Sequence, residues 1–329
     1  MPEAFKKISD RYYRHDHPPK PTRIAVFLAG FLLSVRGDFM NEHDGLQGVT
    51  QSVATLPDTV RKHILAHISR LINYEPVIGV MGKTGAGKSS LCNALFAGEV
   101  SPVSDVSACT REPLRCRLQV GRHSMVLVDL PGVGESERRD REYRALYRRQ
   151  LPQLDLVLWV IKADDRALSV DERFYREVIG TYRHKVLFVV NQVDKLEPCH
   201  QWNAISNSPS SHQKINLSHK LRDIRQLFIT SHPVCAVSAR TGWGLGPLVE
   251  TMMRSLPARA SSPLSAQLHD KLRSEPVKSQ ARDRFGEAAG EVVDAVASLP
   301  FVPEPVKSLL RSVRDMVVST VRAVWDFFF

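Results

Sequence analysis

The sequence predicts an α/β protein built on a doubly wound, mainly parallel sheet, with an N-terminal helix and a C-terminal helical hairpin or small bundle. Three observations carry this expectation. Apolar, strand-like runs recur between residues 76 and 240, separated by helical or Arg-rich segments. A Gly-rich loop, GKTGAGKS at 82–89, sits between one such run and a helical stretch. Beyond residue 263 the strand signals stop and apolar positions recur at helical spacing. A chain of 329 residues with 43% hydrophobic side chains buries a full core.

In chain order, Ile24 to Val35 (IAVFLAGFLLSV) is apolar for only twelve residues, whereas a spanning helix needs about twenty. It does not cross a bilayer by itself. Its length suits a signal-peptide core, but the 23 residues before it are long for a charged leader. Met40 opens a more ordinary run, which leaves residues 1–39 open to reading as an upstream extension. Residues 1–51 are expected to form an N-terminal extension and 52–75 an amphipathic helix with Val60, Ile64, Ile68, Leu71 and Ile72 on one face. His63 and His67 lie one turn apart on it, but Ile64 stands where a metalloprotease helix needs Glu, so they read as surface residues.

An α/β domain over 76–256 follows, with strands expected at 76–81, 114–120, 124–130, 154–165, 185–195 and 232–240. A linker, PARASSP, is expected at 257–263 and a helical region over 264–329. Its two helical runs, broken by Pro300, Pro303 and Pro305, carry Ala281, Phe285, Ala288, Val292 and Val296, then Val306, Leu310, Val313, Val317, Val321 and Val324. The last run ends in Trp325, Phe327, Phe328 and Phe329 and carries Lys307, Arg311, Arg314 and Arg322, a pattern open to two uses: packing inside the protein or peripheral contact with an anionic membrane. Gly286 and Gly290 allow close helix contact.

The chemistry lies in the middle of the chain. Gly82, Gly87, Lys88 and Ser89 match G-x-x-x-x-G-K-[ST], within the loop and helix start Gly82, Lys83, Thr84, Gly85, Ala86, Gly87, Lys88, Ser89 and Ser90. Glycines let backbone N–H groups wrap a β-phosphate, Lys88 reaches the β- and γ-phosphates, and the Ser89 hydroxyl suits Mg²⁺. DLPG supplies Asp129 for the Mg²⁺ shell and Gly132, whose N–H can meet a γ-phosphate. Thr110, in VSDVSACTRE, has a hydroxyl and carbonyl able to report on γ-phosphate and Mg²⁺. In NQVDK, with Asn191 and Gln192, the Asp194 carboxylate can accept from guanine N1–H and the exocyclic amine, a pattern adenine lacks. Ser238, Ala239 and Arg240 complete the set, and the expected ligands are GTP and GDP.

These five pieces, in this order, resemble the Era/TrmE/septin-like branch of P-loop GTPases, and within it the bacterial, often prophage-encoded YeeP/YfjP-type GTPases, commonly grouped with ribosome-binding GTPases. The resemblance implies a G domain over 76–256, GTP hydrolysis with Mg²⁺, and a ribosome or RNA as partner. Three positions depart from the pattern. Gln192 replaces the usual Lys, whose stem covers the guanine ring. Gly85 stands where potassium-activated relatives carry Asn. Val133 stands where Ras-like enzymes orient water with Gln.

With that Gln missing, hydrolysis is expected to be slow unless help comes from elsewhere. The segment ESERRDREYRALYRR (135–149) is Arg-rich, and Glu135/Arg139 and Asp140/Arg144 are spaced to knit a solvated face. A sharper expectation, suggested by resemblance to septin-like and immunity-related GTPases, is a GTP-dependent homodimer in which Arg138 or Arg139 assists in trans.

Composition adds bounds. The five cysteines, Cys92, Cys109, Cys116, Cys199 and Cys235, fit neither a disulfide framework nor a zinc spacing, so a reducing cytoplasm is expected. The net charge of +10 favours RNA, anionic lipid or an acidic partner.

Overall fold

The computed structural model describes residues 42–102, 113–132, 137–300 and 302–329. Seven strands form one sheet in the order β2-β3-β4-β1-β5-β6-β7. They are β1 (Val77–Met81), β2 (Glu99–Pro102), β3 (Leu114–Val120), β4 (His123–Asp129), β5 (Leu156–Lys162), β6 (Val186–Asn191) and β7 (Cys235–Ala236). The strands from β4 through β1, β5 and β6 to β7 run parallel, while β2 and β3 extend the edge as antiparallel hairpin partners. The expected strands at 154–165, 185–195 and 232–240 are shorter in the structure, because their ends turn into the loops that carry polar residues.

Helices cover both faces of the sheet, and the strand sequences show why. Along β5, Leu156, Leu158 and Val160 enter one core, and Val157, Trp159 and Ile161 the other. A strand buried on both sides reads as an unbroken apolar run rather than an alternating one. One face is packed by α4 (Glu137–Gln150), α5 (Ser169–Phe174) and α6 (Ser211–Phe228), with Tyr147, Phe174, Ile224 and Phe228 gathered around Trp159. Ser210 and Gln213 start α6 with a reciprocal capping box, which satisfies two orphan N–H groups.

The other face receives α2 (Asp58–Ile72), α3 (Lys88–Leu95), α7 (Leu245–Ser255), α8 (Ala258–Gln267), α9 (Glu275–Ala297) and α10 (Glu304–Ala323). Here two expectations are corrected. The expected linker 257–263 is the first part of α8, in which Ala260 to Gln267 are all buried; its small residues let the helix lie deep between the sheet and α9. Polarity and proline content concealed that role. The extension 1–51 is also not wholly outside the fold, since α1 (Glu42–Ser52) packs against α10, with Gly45 against Phe328 and Gly48 against Val324.

The apolar stripe of α10, Leu310, Val313, Val317 and Val321, is buried inside the protein together with Trp325 and Phe328. Trp325 Nε1 donates to Ser262 Oγ at 2.8 Å, and Ser262 Oγ donates to the Ala281 carbonyl at 2.9 Å, tying tail, α8 and α9 together. Gly286 and Gly290 leave room for Arg322 and Arg314, which pair with Asp283 and Asp294 across the two helices. Among the described residues no helix is long and apolar enough to cross a membrane.

Candidate nucleotide-binding site

The site lies at the carboxyl ends of β1, β4 and β6, where the loops following parallel strands converge. Gly82 leaves β1 at φ +144°, and a Cβ there would meet the Val160 carbonyl oxygen at 2.2 Å. Gly87 precedes α3 in the left-handed region at φ +86°, where a Cβ would strike Asn191 Nδ2 at 2.5 Å. No larger residue fits either position. The Lys88 ammonium folds back onto the Gly82 carbonyl at 2.9 Å, and Ala86 N–H closes a turn onto the Lys83 carbonyl. Gly85, Thr84 and Ser90 complete the loop and the first turn of α3.

Lys83 does not present its ammonium to this loop. Its Nζ lies 3.0 Å from both Asp165 and Asp171, and it also donates to the Ala167 carbonyl. Burial alone would lower its pKa, but the two carboxylates hold it above the ordinary lysine value. Lys83 therefore belongs to the loop through its backbone only.

DLPG is held close by two contacts. A Cβ on Gly132 would meet the Gly82 oxygen at 2.6 Å and the Lys83 Cα at 3.0 Å, and Tyr147 OH donates to the Pro131 carbonyl at 3.0 Å. Asp129 lines a small cavity with Lys88, Ser89, Cys92 and Cys116. Burial raises the Asp129 pKa, with Lys88 partly opposing the shift. Burial and the nearby Asp129 push Cys92 up to about 12 and Cys116 to about 11, so both thiols stay protonated. Among the described residues no three His, Cys, Asp or Glu side chains gather as a metal cluster. Thr110 lies outside the described residues. Arg138 falls in the first turn of α4, but its side chain is likewise outside them.

The segments after β6 and β7 are fastened to this loop through Asn191 and Gln192. Asn191 Nδ2 donates to the Ala86 carbonyl at 3.0 Å, while its Oδ1 accepts from Ala239 N–H at 3.1 Å. Gln192, itself left-handed at φ +65°, donates to the Gly85 carbonyl at 2.6 Å. Asp194 accepts from Ser238 Oγ at 2.5 Å and from Arg240 Nε and Nη2 at 2.9 and 2.7 Å. Burial acts to raise its pKa, but the bonds from Ser238 and Arg240 hold it below the ordinary carboxylate range. The structure thus links the Gly-rich loop to Asn191 and Gln192, and Asp194 to Ser238 and Arg240.

Residues 77–192 match the family model described as 50S ribosome-binding GTPase. YkfA of Escherichia coli strain K12 is 58% identical over 291 residues, which span 88% of this chain and all of YkfA. The chain is a YfjP-type P-loop GTPase. YfjP itself, from the same organism, is 57% identical over 291 residues, 88% of this chain and all of YfjP. A third relative, YeeP of that organism, is 50% identical over 183 residues, covering 56% of this chain and 77% of YeeP.

Sequence reasoning on this YfjP-type GTPase missed Tyr147, Asp165 and Asp171. Tyr147 is hidden in an Arg-rich run, and its use depends on α4 lying against the loop after β4. Asp165 closes an expected strand and Asp171 lies in no motif, and only the fold places them beside Lys83.

Proposed function

We propose that the chain binds GTP and GDP with Mg²⁺ and hydrolyses GTP to GDP and phosphate, slowly, as a nucleotide-dependent switch. The observation that carries this is Asn191. By bonding Ala86 on one side and Ala239 on the other, it fixes a phosphate-binding loop and a guanine-reading carboxylate in one frame. Backbone N–H groups from Lys83 to Ser90 and the N-terminus of α3 then face the phosphates. Lys88 exchanges the Gly82 carbonyl for the β- and γ-phosphates, and Gly132 N–H meets the γ-phosphate. Asp194 reads the guanine edge, with Ser238 and Ala239 supporting that reading.

The residues suit Mg²⁺. Ser89 supplies a hydroxyl and Asp129 a carboxylate to the same small cavity, both hard oxygen donors, and a divalent cation would relieve the burial penalty on Asp129. The sequence adds Thr110 to this set. When bound, the ion neutralises charge on the phosphate oxygens.

Hydrolysis needs a positioned water and a further positive charge, and Val133 offers no amide for the first. Arg138 or Arg139, delivered by a second G domain in a GTP-dependent homodimer, would supply the charge. The test is GTP hydrolysis per molecule over a hundredfold range of protein concentration, with Lys88→Ala as the blank. A rate that climbs with concentration supports the homodimer. A flat, very slow rate removes it and leaves a switch activated by an outside partner. The net charge of +10 and the ribosome-binding description of the family model favour a ribosomal or RNA partner for that case. A salt-sensitive pull-down of RNA tests it. Cytoplasmic action follows from this reading, since GTP is the ligand.

A further inference from the structure

Asp194 and Arg240 share a contact that bears directly on base recognition. The Asp194 side chain is 1% exposed, whereas that of Arg240 is 72% exposed and reaches over it from the loop after β7. Arg240 Nε and Nη2 both donate to Asp194 Oδ2, at 2.9 and 2.7 Å. Ser238 Oγ donates to Oδ1 at 2.5 Å. A carboxylate offers about four lone-pair sites, two on each oxygen. Arg240 takes both sites on Oδ2, and Ser238 takes one on Oδ1.

Guanine brings two donors to the same carboxylate, N1–H and the exocyclic amine. One acceptor site is left for them, so Asp194 cannot read the base while Arg240 keeps both bonds. The two edges are also chemically alike. Nε–H, Cζ and Nη2–H of the guanidinium form a planar N–C–N unit with two donors on one side, as do N1, C2 and the exocyclic amine of guanine. Arg240 is an internal copy of the edge that Asp194 recognises.

We propose that Arg240 competes with guanine for Asp194, and that displacement of its guanidinium into water sets the affinity and association rate for guanine nucleotides. This rests on the GTP-binding reading above. The exposed Arg240 side chain can leave without opening the core. Ser238 stays in place, because its backbone N–H is fixed to the Trp243 carbonyl at 2.9 Å and its hydroxyl accepts from Thr241 N–H at 3.3 Å. Asp194 therefore keeps its orientation when the latch opens.

The experiment is titration and stopped-flow association of a fluorescent GDP with the full chain, in Mg²⁺ buffer, for the unaltered protein, Arg240→Ala and Arg240→Gln. Arg240→Ala is expected to bind about threefold to tenfold more tightly, with most of the gain in the association rate. Raising the salt concentration should shrink that ratio, because screening weakens the latch in the unaltered protein. Arg240→Gln, which keeps a stem and one donor group, should fall between the two and serves if the alanine variant melts early. Equal or weaker binding by both variants overturns the proposal, and makes Arg240 a bystander or a direct nucleotide contact. Failure of the unaltered, folded protein to bind GDP at all overturns the GTP-binding reading as well. Binding by the unaltered protein with no gain in the variants overturns the latch alone.

Discussion

Gln192 Nε2 donates to the Gly85 carbonyl at 2.6 Å, so the residue that departs from the usual Lys still fastens the turn after β6 to the Gly-rich loop. Its backbone sits at φ +65°, a conformation costly for a non-glycine residue and held here by that bond and by the fold around it. The departure therefore leaves the bond between this turn and the Gly-rich loop in place.

Gln192→Ala should lose the bond while keeping the strained backbone. Removing such a hydrogen bond costs about 1–2 kcal/mol, which corresponds to roughly fivefold to thirtyfold weaker GDP binding. Gln192→Lys restores a longer apolar stem and can still donate to Gly85, so tighter binding is expected. Isothermal titration calorimetry of both variants checks the pair, and a lysine variant weaker than the native protein would show that the stem plays no part.

Lys88→Ala should leave the fold intact and remove GTP hydrolysis. Its ammonium bonds a loop carbonyl rather than a core group, so the melting temperature should move little. Loss of a charge-assisted bond to phosphate costs about 1.5–3 kcal/mol, or roughly tenfold to a hundred and fiftyfold in affinity. Phosphate release and nucleotide titration on the same preparation measure both effects.

Much of this could be read from the chain, for physical reasons that differ by element. The two-faced strands β1, β5 and β6 leave unbroken apolar runs, and Gly82 and Gly87 mark backbone positions no other residue fills, so both fold and phosphate loop are visible in sequence. Helix α8 was not legible, because a buried helix packed tightly against its neighbours uses Ala and Ser, which also compose linkers. The turn of Lys83 toward Asp165 and Asp171 depends on contacts between segments some eighty residues apart, which no local pattern encodes. The tail stripe was ambiguous in principle, since an apolar helix face looks the same whether it meets lipid or protein.

Asp129→Asn should stabilise the protein while abolishing Mg²⁺-dependent hydrolysis. The folded-state pKa of Asp129 is raised by burial above its ordinary 3.8, so the native state holds a proton more readily than the unfolded state. Native stability therefore falls as pH rises from 3.8 through the raised value, and the penalty is fully present above it. Asn carries no charge at any pH. The variant should melt higher than the native protein near about pH 7, with the advantage fading as pH falls through the raised value and gone below the ordinary carboxylate value. Melting curves without Mg²⁺ across this range give the sign. A lower melting temperature at neutral pH would mean that attraction between Asp129 and Lys88 outweighs the burial penalty.

The tail offers the clearest choice between a structural and a membrane role. Val317 and Val321 are fully buried on α10, and Trp325 is buried with its indole N–H on Ser262. If this packing holds the fold, Trp325→Ala should destabilise it by about 3–5 kcal/mol, because a large cavity opens and Ser262 loses a partner. Val317→Ala should cost less, since fewer buried carbons are removed. Substitution of the exposed Met316 on the same helix by Ser should cost little. A tail that worked on lipid would give the opposite ranking: small losses of stability at Val317 and Trp325, and co-sedimentation with anionic vesicles that these changes weaken. Urea unfolding of the three variants, together with sedimentation of the full chain with phosphatidylserine vesicles, separates the two. The expected outcome is a graded loss of stability at the buried positions, with the folded native chain staying in the supernatant, because its apolar stripe is already covered by α1 and α9.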